Sequence, residues 1–173
     1  MYRLLAPNNI LAMSKTVIGV MGPAEGATSQ NIKDAYELGQ LITQAGWVTL
    51  SGGRNSGVMD ALSREAQEAG GFVIGILPTK DRKTYSKAID IAIVTDMGSA
   101  RNNINVLSSS VVVACGMGIG TASEIALALK SNMPVVLLNS GESGSKFFTE
   151  LSPDRVFIAS SPDQAIKLVK TIV

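Results

Sequence analysis

Short apolar runs alternate along the chain with longer segments in which apolar positions recur at helical spacing. The apolar runs predict strands at residues 16–21, 47–50, 72–77, 89–94, 111–115, 134–138 and 156–160. The periodic segments predict helices at residues 28–46, 57–70, 99–110 and 125–131, with a last helix after residue 161. The strands are apolar throughout rather than alternating, which is typical of a parallel sheet covered on both faces. The pattern therefore predicts an α/β fold with a single doubly wound, mostly parallel sheet and helices on both faces.

Capping residues mark the ends of two of these helices. Thr28 or Ser29 can cap the first helix, and Gly46 ends it. Ser161 caps the last helix, with Pro162 in its first turn and Gln164 in the capping-box position.

Two segments lie outside the periodic pattern. Residues 79–88 are polar and aperiodic, which predicts a loop. Residues 1–13 precede the first strand and are interrupted by Pro7, so we expect them to form a flexible N-terminal extension. The remaining residues, 14–173, are expected to form the ligand-binding domain.

Composition restricts the chemistry that this domain can perform. Fifteen Lys and Arg against fourteen Asp and Glu give a net charge of +1, so we expect neither a nucleic-acid partner nor a membrane partner. The single cysteine, Cys115, cannot form an internal disulfide, which indicates a reduced, cytoplasmic protein. The chain contains no histidine, which excludes Ser–His–Asp and Cys–His nucleophilic sites. We expect no metal site.

Glycine-rich loops follow four of the predicted strands, at residues 22–26, 51–57, 116–121 and 139–144. In doubly wound sheets, ligands bind at the carboxyl ends of the strands. Glycine lets the backbone approach a ligand, and the free N–H groups of a helix N-terminus favour a phosphate. None of the loops matches the P-loop or the dinucleotide fingerprint. The loops predict a site for an anionic, nucleotide-like ligand.

Four side chains near these loops each allow two interpretations. Thr121 and Glu124 have the spacing of a capping box, but Glu124 can also be a carboxylate beside the ligand. Arg101 opposes the dipole in the first turn of its predicted helix, so either an anionic ligand or a partner carboxylate must favour it. Arg54 can bind phosphate or lie in a solvated loop. Cys115 ends a buried strand and either belongs to the core or faces the ligand.

The segments around these residues resemble the Rossmann-like superfamily of the lonely-guy phosphoribohydrolases over nearly all of residues 14–173. The segments are SGGRNSGVMDALSREAQEAGGFVIGILP, GSARNNIN and GMGIGTASEIALALKSNMPVVLL. Those enzymes cleave the base from cytokinin riboside 5′-monophosphates, and their hallmark is Pro-Gly-Gly-x-Gly-Thr-x-x-Glu with an upstream Arg. The matching positions here are Arg101, Gly118, Gly120, Thr121 and Glu124, whereas Gly116-Met117 replaces the Pro-Gly pair. If the chain is a hydrolase, the resemblance implies Arg101 and Glu124 as its catalytic residues.

Within that superfamily the chain is more similar to the molybdenum cofactor carrier proteins of algae and cyanobacteria. The shared segments are GVMGP, SARNNIN and GMGIGTASE. The resemblance implies a non-enzymatic protein that binds, stores and protects the phosphate-bearing molybdenum cofactor. It also implies a homotetramer or homodimer, with molybdoenzymes or a molybdenum insertase as partners. The phosphoribohydrolase is the alternative, and a nucleotide sensor is a third possibility.

The glycine loops and the resemblance together define the candidate cofactor-binding residues. They are Gly22, Pro23, Ser51, Gly52, Gly53, Arg54, Gly57, Arg101, Asn102, Gly116, Met117, Gly118, Gly120, Thr121 and Glu124. A carrier is expected to have no catalytic residue among them.

Overall fold

A computed structural model describes residues 15–173, and the extension predicted at residues 1–13 lies outside the described residues. The strands are β1 (Val17–Met21), β2 (Val48–Ser51), β3 (Phe72–Leu77), β4 (Ile91–Val94), β5 (Val111–Cys115), β6 (Val135–Leu138) and β7 (Val156–Ala159). The helices are α1 (Ser29–Gln44), α2 (Gly57–Glu68), α3 (Asn102–Leu107), α4 (Ile119–Lys130), α5 (Glu142–Leu151) and α6 (Pro162–Ile172). Short 3-10 turns occur at Arg82–Thr84 and Gly98–Arg101.

The strands form one sheet in the order β4-β3-β2-β1-β5-β6-β7, and every neighbouring pair is parallel. The first strand, β1, lies in the middle of the sheet; the chain then builds outward through β2 and β3 to β4 and returns to the other side of β1 with β5. The strand order therefore reverses between β1 and β5, which is where such sheets bind ligands. The predicted doubly wound parallel fold is confirmed.

Two apolar cores lie on opposite faces of this sheet. Alternate side chains of β5 point to opposite sides, because the side-chain period of a strand is two residues. Val111, Val113 and Cys115 pack with apolar residues of α1, α2 and α6. Val112 and Ala114 pack with those of α3, α4 and α5. No helix within residues 15–173 is long and apolar enough to cross a membrane.

Both predicted N-caps are confirmed. The Thr28 side chain accepts the Asn31 N–H at 3.1 Å, and Asn31 Oδ1 accepts the Thr28 N–H in return. Ser161 Oγ accepts the Gln164 N–H at 3.2 Å. The side chain of Gln164 accepts the N–H of Ser160, one residue before the cap.

Three helical segments differ from the sequence prediction. The helix α4 begins at Ile119, six residues before the predicted start at residue 125. The segment predicted as a helix at residues 99–110 divides into the 3-10 turn Gly98–Arg101 and the short helix α3. The helix α5 was not predicted, because its first half contains Gly144 and two serines and no apolar side chain.

Candidate functional site

A cavity of about 500 Å³ opens at the carboxyl ends of the strands on both sides of the strand-order reversal. The loops that follow β1, β2 and β5 all contribute to its wall, as their glycine content predicts. The lining residues among the sequence candidates are Gly22, Pro23, Gly52, Arg54, Arg101, Asn102, Gly118, Gly120, Thr121 and Glu124. Segments distant in sequence are therefore brought to one site.

The fourth glycine loop, residues 139–144, contributes no lining residue to this cavity. This loop follows β6, which is separated from β1 by β5. The wall is completed instead by Pro78 and Thr79 after β3 and by the 3-10 turn Gly98–Arg101. Three of the four glycine loops predicted at this rim therefore line the cavity.

Five candidates are not among the residues that line the cavity: Ser51, Gly53, Gly57, Gly116 and Met117. Ser51 Oγ accepts the Gly53 N–H at 3.1 Å and holds the turn after β2. Gly57 has φ +58°, and a Cβ there would lie 2.3 Å from the carbonyl oxygens of Pro23 and Ala24. Met117 packs toward α5, where its Cε lies 3.0 Å from the position of a Cβ on Gly144.

The first turns of α2 and α4 are available to a ligand to different degrees. The N–H of Val58 at the start of α2 donates to the Pro23 carbonyl at 3.1 Å, so the protein itself uses that donor. The N-cap of α4 is Gly118, in an extended conformation and without a side-chain cap. Gly118, Ile119, Gly120 and Thr121 all line the cavity. The positive end of α4 is therefore the better place for an anion.

The capping box predicted for Thr121 and Glu124 is wrong. Because Gly118 takes the N-cap position, Thr121 is the third residue inside α4, and its Oγ1 is buried without a hydrogen-bond partner in the described part of the chain. Glu124 is 7% exposed, and its Oε1 accepts the Nδ2 group of Asn105 at 2.7 Å. The carboxylate thus bonds to a side chain of α3 rather than to a backbone N–H.

Glu124 is a buried acid in the cavity wall. Burial raises the pKa of Glu124, although the hydrogen bond from Asn105 and the positive charge of Arg101 act in the opposite direction. Asn105 is fully buried, and Ser109 Oγ donates to its carbonyl at 2.8 Å. Asn105 was missed in the sequence, where it is one of several asparagines in a polar helix.

Arg101 is the last residue of the 3-10 turn and is also 7% exposed. Its Nε and Nη1 atoms are buried and have no hydrogen-bond partner among residues 15–173. Burial lowers the pKa of Arg101; Glu124 opposes this effect and the positive charge of Arg54 adds to it. The ion pairs found within the described residues include neither Arg101 nor Glu124. The two opposite charges therefore lie in one cavity without bonding to each other.

Cys115 belongs to the core and does not line the cavity. Its side chain is fully buried, and its Sγ donates to the Asn31 carbonyl at 3.5 Å. Burial raises the pKa of the Cys115 thiol to about 12. Of the two interpretations of this residue, the structure supports the core cysteine.

The fold and site together define a Rossmann-like α/β protein with a polar cavity at the point where strand order reverses. Residues 15–166 match the model of the SLOG cluster4 family, and the chain belongs to this family. The chain is 57% identical to the molybdenum cofactor binding protein from the phototrophic bacterium Rippkaea orientalis. The two structures superpose with a TM-score of 0.91 over 92% of this chain and 98% of that one.

The similarity extends to an algal carrier and to an enzyme. The molybdenum cofactor carrier protein from Chlamydomonas reinhardtii is 50% identical, with a TM-score of 0.87 over 91% of this chain and 98% of that one. A cytokinin riboside 5′-monophosphate phosphoribohydrolase from Mycobacterium tuberculosis is 27% identical over 110 residues, or 62% of this chain and 59% of the enzyme. The resemblance predicted from the sequence is confirmed.

Proposed function

We propose that the protein binds the molybdenum cofactor in this cavity as a carrier that stores and protects it. The identities of 57% and 50% to a cofactor binding protein and a cofactor carrier protein support this assignment. The structural observation that carries it is the buried guanidinium of Arg101, in which Nε and Nη1 have no hydrogen-bond partner in the described part of the chain. A bound ligand that presents hydrogen-bond acceptors supplies the partners that Arg101 lacks.

Buried polar groups without hydrogen-bond partners destabilise a folded protein. A buried donor without a partner costs about 1–3 kcal/mol, and more if it is charged. The protein keeps this unfavourable arrangement at Arg101, close to a carboxylate whose burial is also unfavourable. The molybdenum cofactor carries a terminal phosphate and an anionic oxo-metal centre, joined by a pterin ring. Arg54 and the first turn of α4 are groups on the cavity wall that favour an anion, and Arg101 on the same wall needs hydrogen-bond acceptors.

A binding experiment tests this proposal. The purified protein is mixed with the molybdenum cofactor without oxygen, gel-filtered, and assayed for retained molybdenum and for pterin. We expect both to be retained in a fixed ratio to the protein, and Arg101→Met to lower the affinity by about ten- to a hundredfold. Arg64→Met is the matched control, because Arg64 lies outside the cavity and its side chain is 59% exposed. Equal affinity in both variants would contradict the role of Arg101.

The alternative function is hydrolysis of the N-glycosidic bond of a nucleoside 5′-monophosphate. The observation in its favour is that Arg101 and Glu124, which match the enzyme motif, both line the cavity. The replacement of the enzymes' Pro-Gly pair by Gly116-Met117 argues against it. Incubation with AMP and cytokinin monophosphates distinguishes the two functions. Release of free base that Glu124→Ala abolishes would establish the enzyme, whereas a carrier releases none.

Assembly, partners and compartment stay predictions. The edge strand β4 supports an oligomer, because its apolar residues Ile91, Ile93 and Val94 are all more than 40% exposed. Light scattering after gel filtration measures the assembly, and we expect a homodimer or homotetramer. A cytoplasmic location and the delivery of cofactor to molybdoenzymes or from a molybdenum insertase follow from the carrier role.

A further inference from the structure

The cavity has a mouth and a floor, and the helix α4 leads from one to the other. Ile119, in the first turn, is 95% exposed and Gly120 is exposed as well. Arg54, on the loop after β2, is half-buried. One turn further into α4, Glu124 is 7% exposed, and Arg101 is equally buried. The first turn of α4 and Arg54 therefore form the mouth, whereas Glu124 and Arg101 form the floor.

The Glu124 carboxylate is held as a hydrogen-bond acceptor at this floor. Asn105 Nδ2 donates to its Oε1, and the Asn105 side chain is completely buried. No residue in the described part of the chain bonds to the other oxygen, Oε2. Because Glu124 lines the cavity, Oε2 is the atom left to contact a bound molecule. That molecule must bring an N–H or O–H donor to the floor.

Arg101, which lies in the same cavity floor as Glu124, needs a hydrogen-bond acceptor from the bound molecule. Its Nε and Nη1 are donors without partners among residues 15–173, so they need an acceptor. The group that lies between Arg101 and Glu124 must therefore present an acceptor and a donor along one edge. A phosphate or an oxo-metal group presents acceptors only and would be repelled by Glu124. The pyrimidine ring of a pterin carries a 2-amino group, a ring N–H and a 4-oxo oxygen along one edge.

From this match we infer that Glu124 and Arg101 recognise the 2-amino-4-oxopyrimidine edge of the pterin at the cavity floor, with the phosphate at the mouth. This inference rests on the proposed function and adds an orientation to it. The free Oε2 atom of Glu124 accepts hydrogen bonds from the 2-amino group and the adjacent ring N–H, and Arg101 donates to the 4-oxo oxygen. Asn105 acts as a positioning residue, because it holds the Glu124 carboxylate in place without reaching the cavity. The phosphate lies at the N-terminus of α4, close to Arg54.

Matched ring analogues test the orientation. Binding of neopterin monophosphate is compared by calorimetry with that of the lumazine monophosphate that carries the same side chain and a 2-oxo group. We expect the wild-type protein to prefer the pterin by about ten- to a hundredfold, because the lumazine leaves the buried Glu124 oxygen facing another oxygen. In Glu124→Gln, the amide oxygen still accepts from Asn105 and the NH₂ group faces the cavity. The preference should therefore disappear or reverse in this variant.

The control variant is Glu150→Gln, since Glu150 is exposed on α5 and lies outside the cavity. It should keep the wild-type preference. The inference is overturned if the wild-type protein binds the two compounds with equal affinity and Glu124→Gln binds both more tightly. That result would place the phosphate beside Glu124. The proposed function would survive that result if the wild-type protein still retained the molybdenum cofactor. If the wild-type protein bound neither analogue and did not retain the cofactor, both the inference and the proposed function would fail.

Discussion

Gly52 controls the position of Arg101, and its substitution offers a sharp test of the site. Gly52 follows β2 and lies beneath the guanidinium group. A Cβ at this position would be 2.3 Å from Arg101 Nη1, 2.6 Å from Nη2 and 2.7 Å from Met59 Sδ. Ordinary van der Waals contact begins at 3.4 Å. In Gly52→Ala the guanidinium must therefore retreat by about 1 Å, which lengthens a hydrogen bond of about 2.9 Å beyond its useful range.

The expected consequence is a loss of affinity with little loss of stability. The guanidinium is the end of a flexible side chain, so its movement should cost about 1 kcal/mol of unfolding free energy, the low end for an overpacked site. Each charge-assisted hydrogen bond that is lost should lower the affinity for the molybdenum cofactor by about ten- to a hundredfold. Affinity is measured by oxygen-free titration with molybdenum analysis, and stability by urea unfolding. Wild-type affinity in Gly52→Ala would refute the role of Arg101.

Gly39→Ala is the matched control for Gly52→Ala. A Cβ on Gly39 would lie 2.5 Å from the Leu62 carbonyl oxygen and 2.9 Å from the Ala66 nitrogen, where α1 meets α2. Backbone atoms cannot move aside easily, so this variant should lose more stability than Gly52→Ala. Its folded fraction should bind the cofactor with unchanged affinity, because Gly39 lies away from the cavity.

Three further predictions concern Glu124, Cys115 and Gly120. Burial raises the pKa of Glu124 above its ordinary value of 4.5. The native state therefore binds more protons than the unfolded chain does. The free energy of unfolding falls as the pH rises through the raised pKa. At about pH 8, Glu124→Gln should thus unfold at a higher urea concentration than the wild type, and the difference should shrink as the pH is lowered. An equal or lower urea midpoint for Glu124→Gln at about pH 8 would contradict the unfavourable burial of the carboxylate. Cys115, fully buried with a pKa of about 12, should resist iodoacetamide at about pH 8 in the native protein and react in urea. Mass spectrometry measures the alkylation, and rapid native labelling would disprove the buried placement. A Cβ on Gly120 meets no atom within 4 Å, so Gly120→Ala should stabilise α4 by about 1 kcal/mol in urea unfolding. The same methyl group should weaken cofactor binding at the mouth in the titration, and unchanged affinity would show that α4 does not approach the ligand.

The sheet was predictable from the sequence because its signals are local. The strands β3 and β5 begin and end where their apolar runs do, at Phe72–Leu77 and Val111–Cys115. Continuous apolar strands between amphipathic helices permit few arrangements other than a parallel sheet with helices on both faces. The glycine loops at the ends of β1, β2 and β5 then indicate the place of the site.

The start of α4 was not predictable from local pattern. Residues 118–121 contain two glycines and an exposed isoleucine, which look like loop sequence. In the fold these residues form the N-cap and first turn of α4. Of the two interpretations of the Thr-x-x-Glu spacing, the capping box therefore fails, because Thr121 and Glu124 both lie inside the helix.

The polar contacts of the site depend on the tertiary structure. Asn105 and Glu124 are 19 residues apart, and the packing of α3 against α4 brings them together. Gly52 and Arg101 meet because the loop after β2 and the 3-10 turn after β4 converge at the cavity. Sequence pattern indicates that an arginine and a carboxylate belong to the site. It cannot indicate which of their atoms keep free hydrogen-bonding capacity.

The most direct test of the proposed site is a crystal structure of the protein with the molybdenum cofactor bound. We expect a cofactor atom about 3 Å from Arg101 Nε or Nη1, inside the cavity between the loops after β1, β2 and β5. A cofactor bound outside this cavity, or bound within it while the guanidinium of Arg101 keeps its N–H groups unpaired, would show that Arg101 does not hold the cofactor.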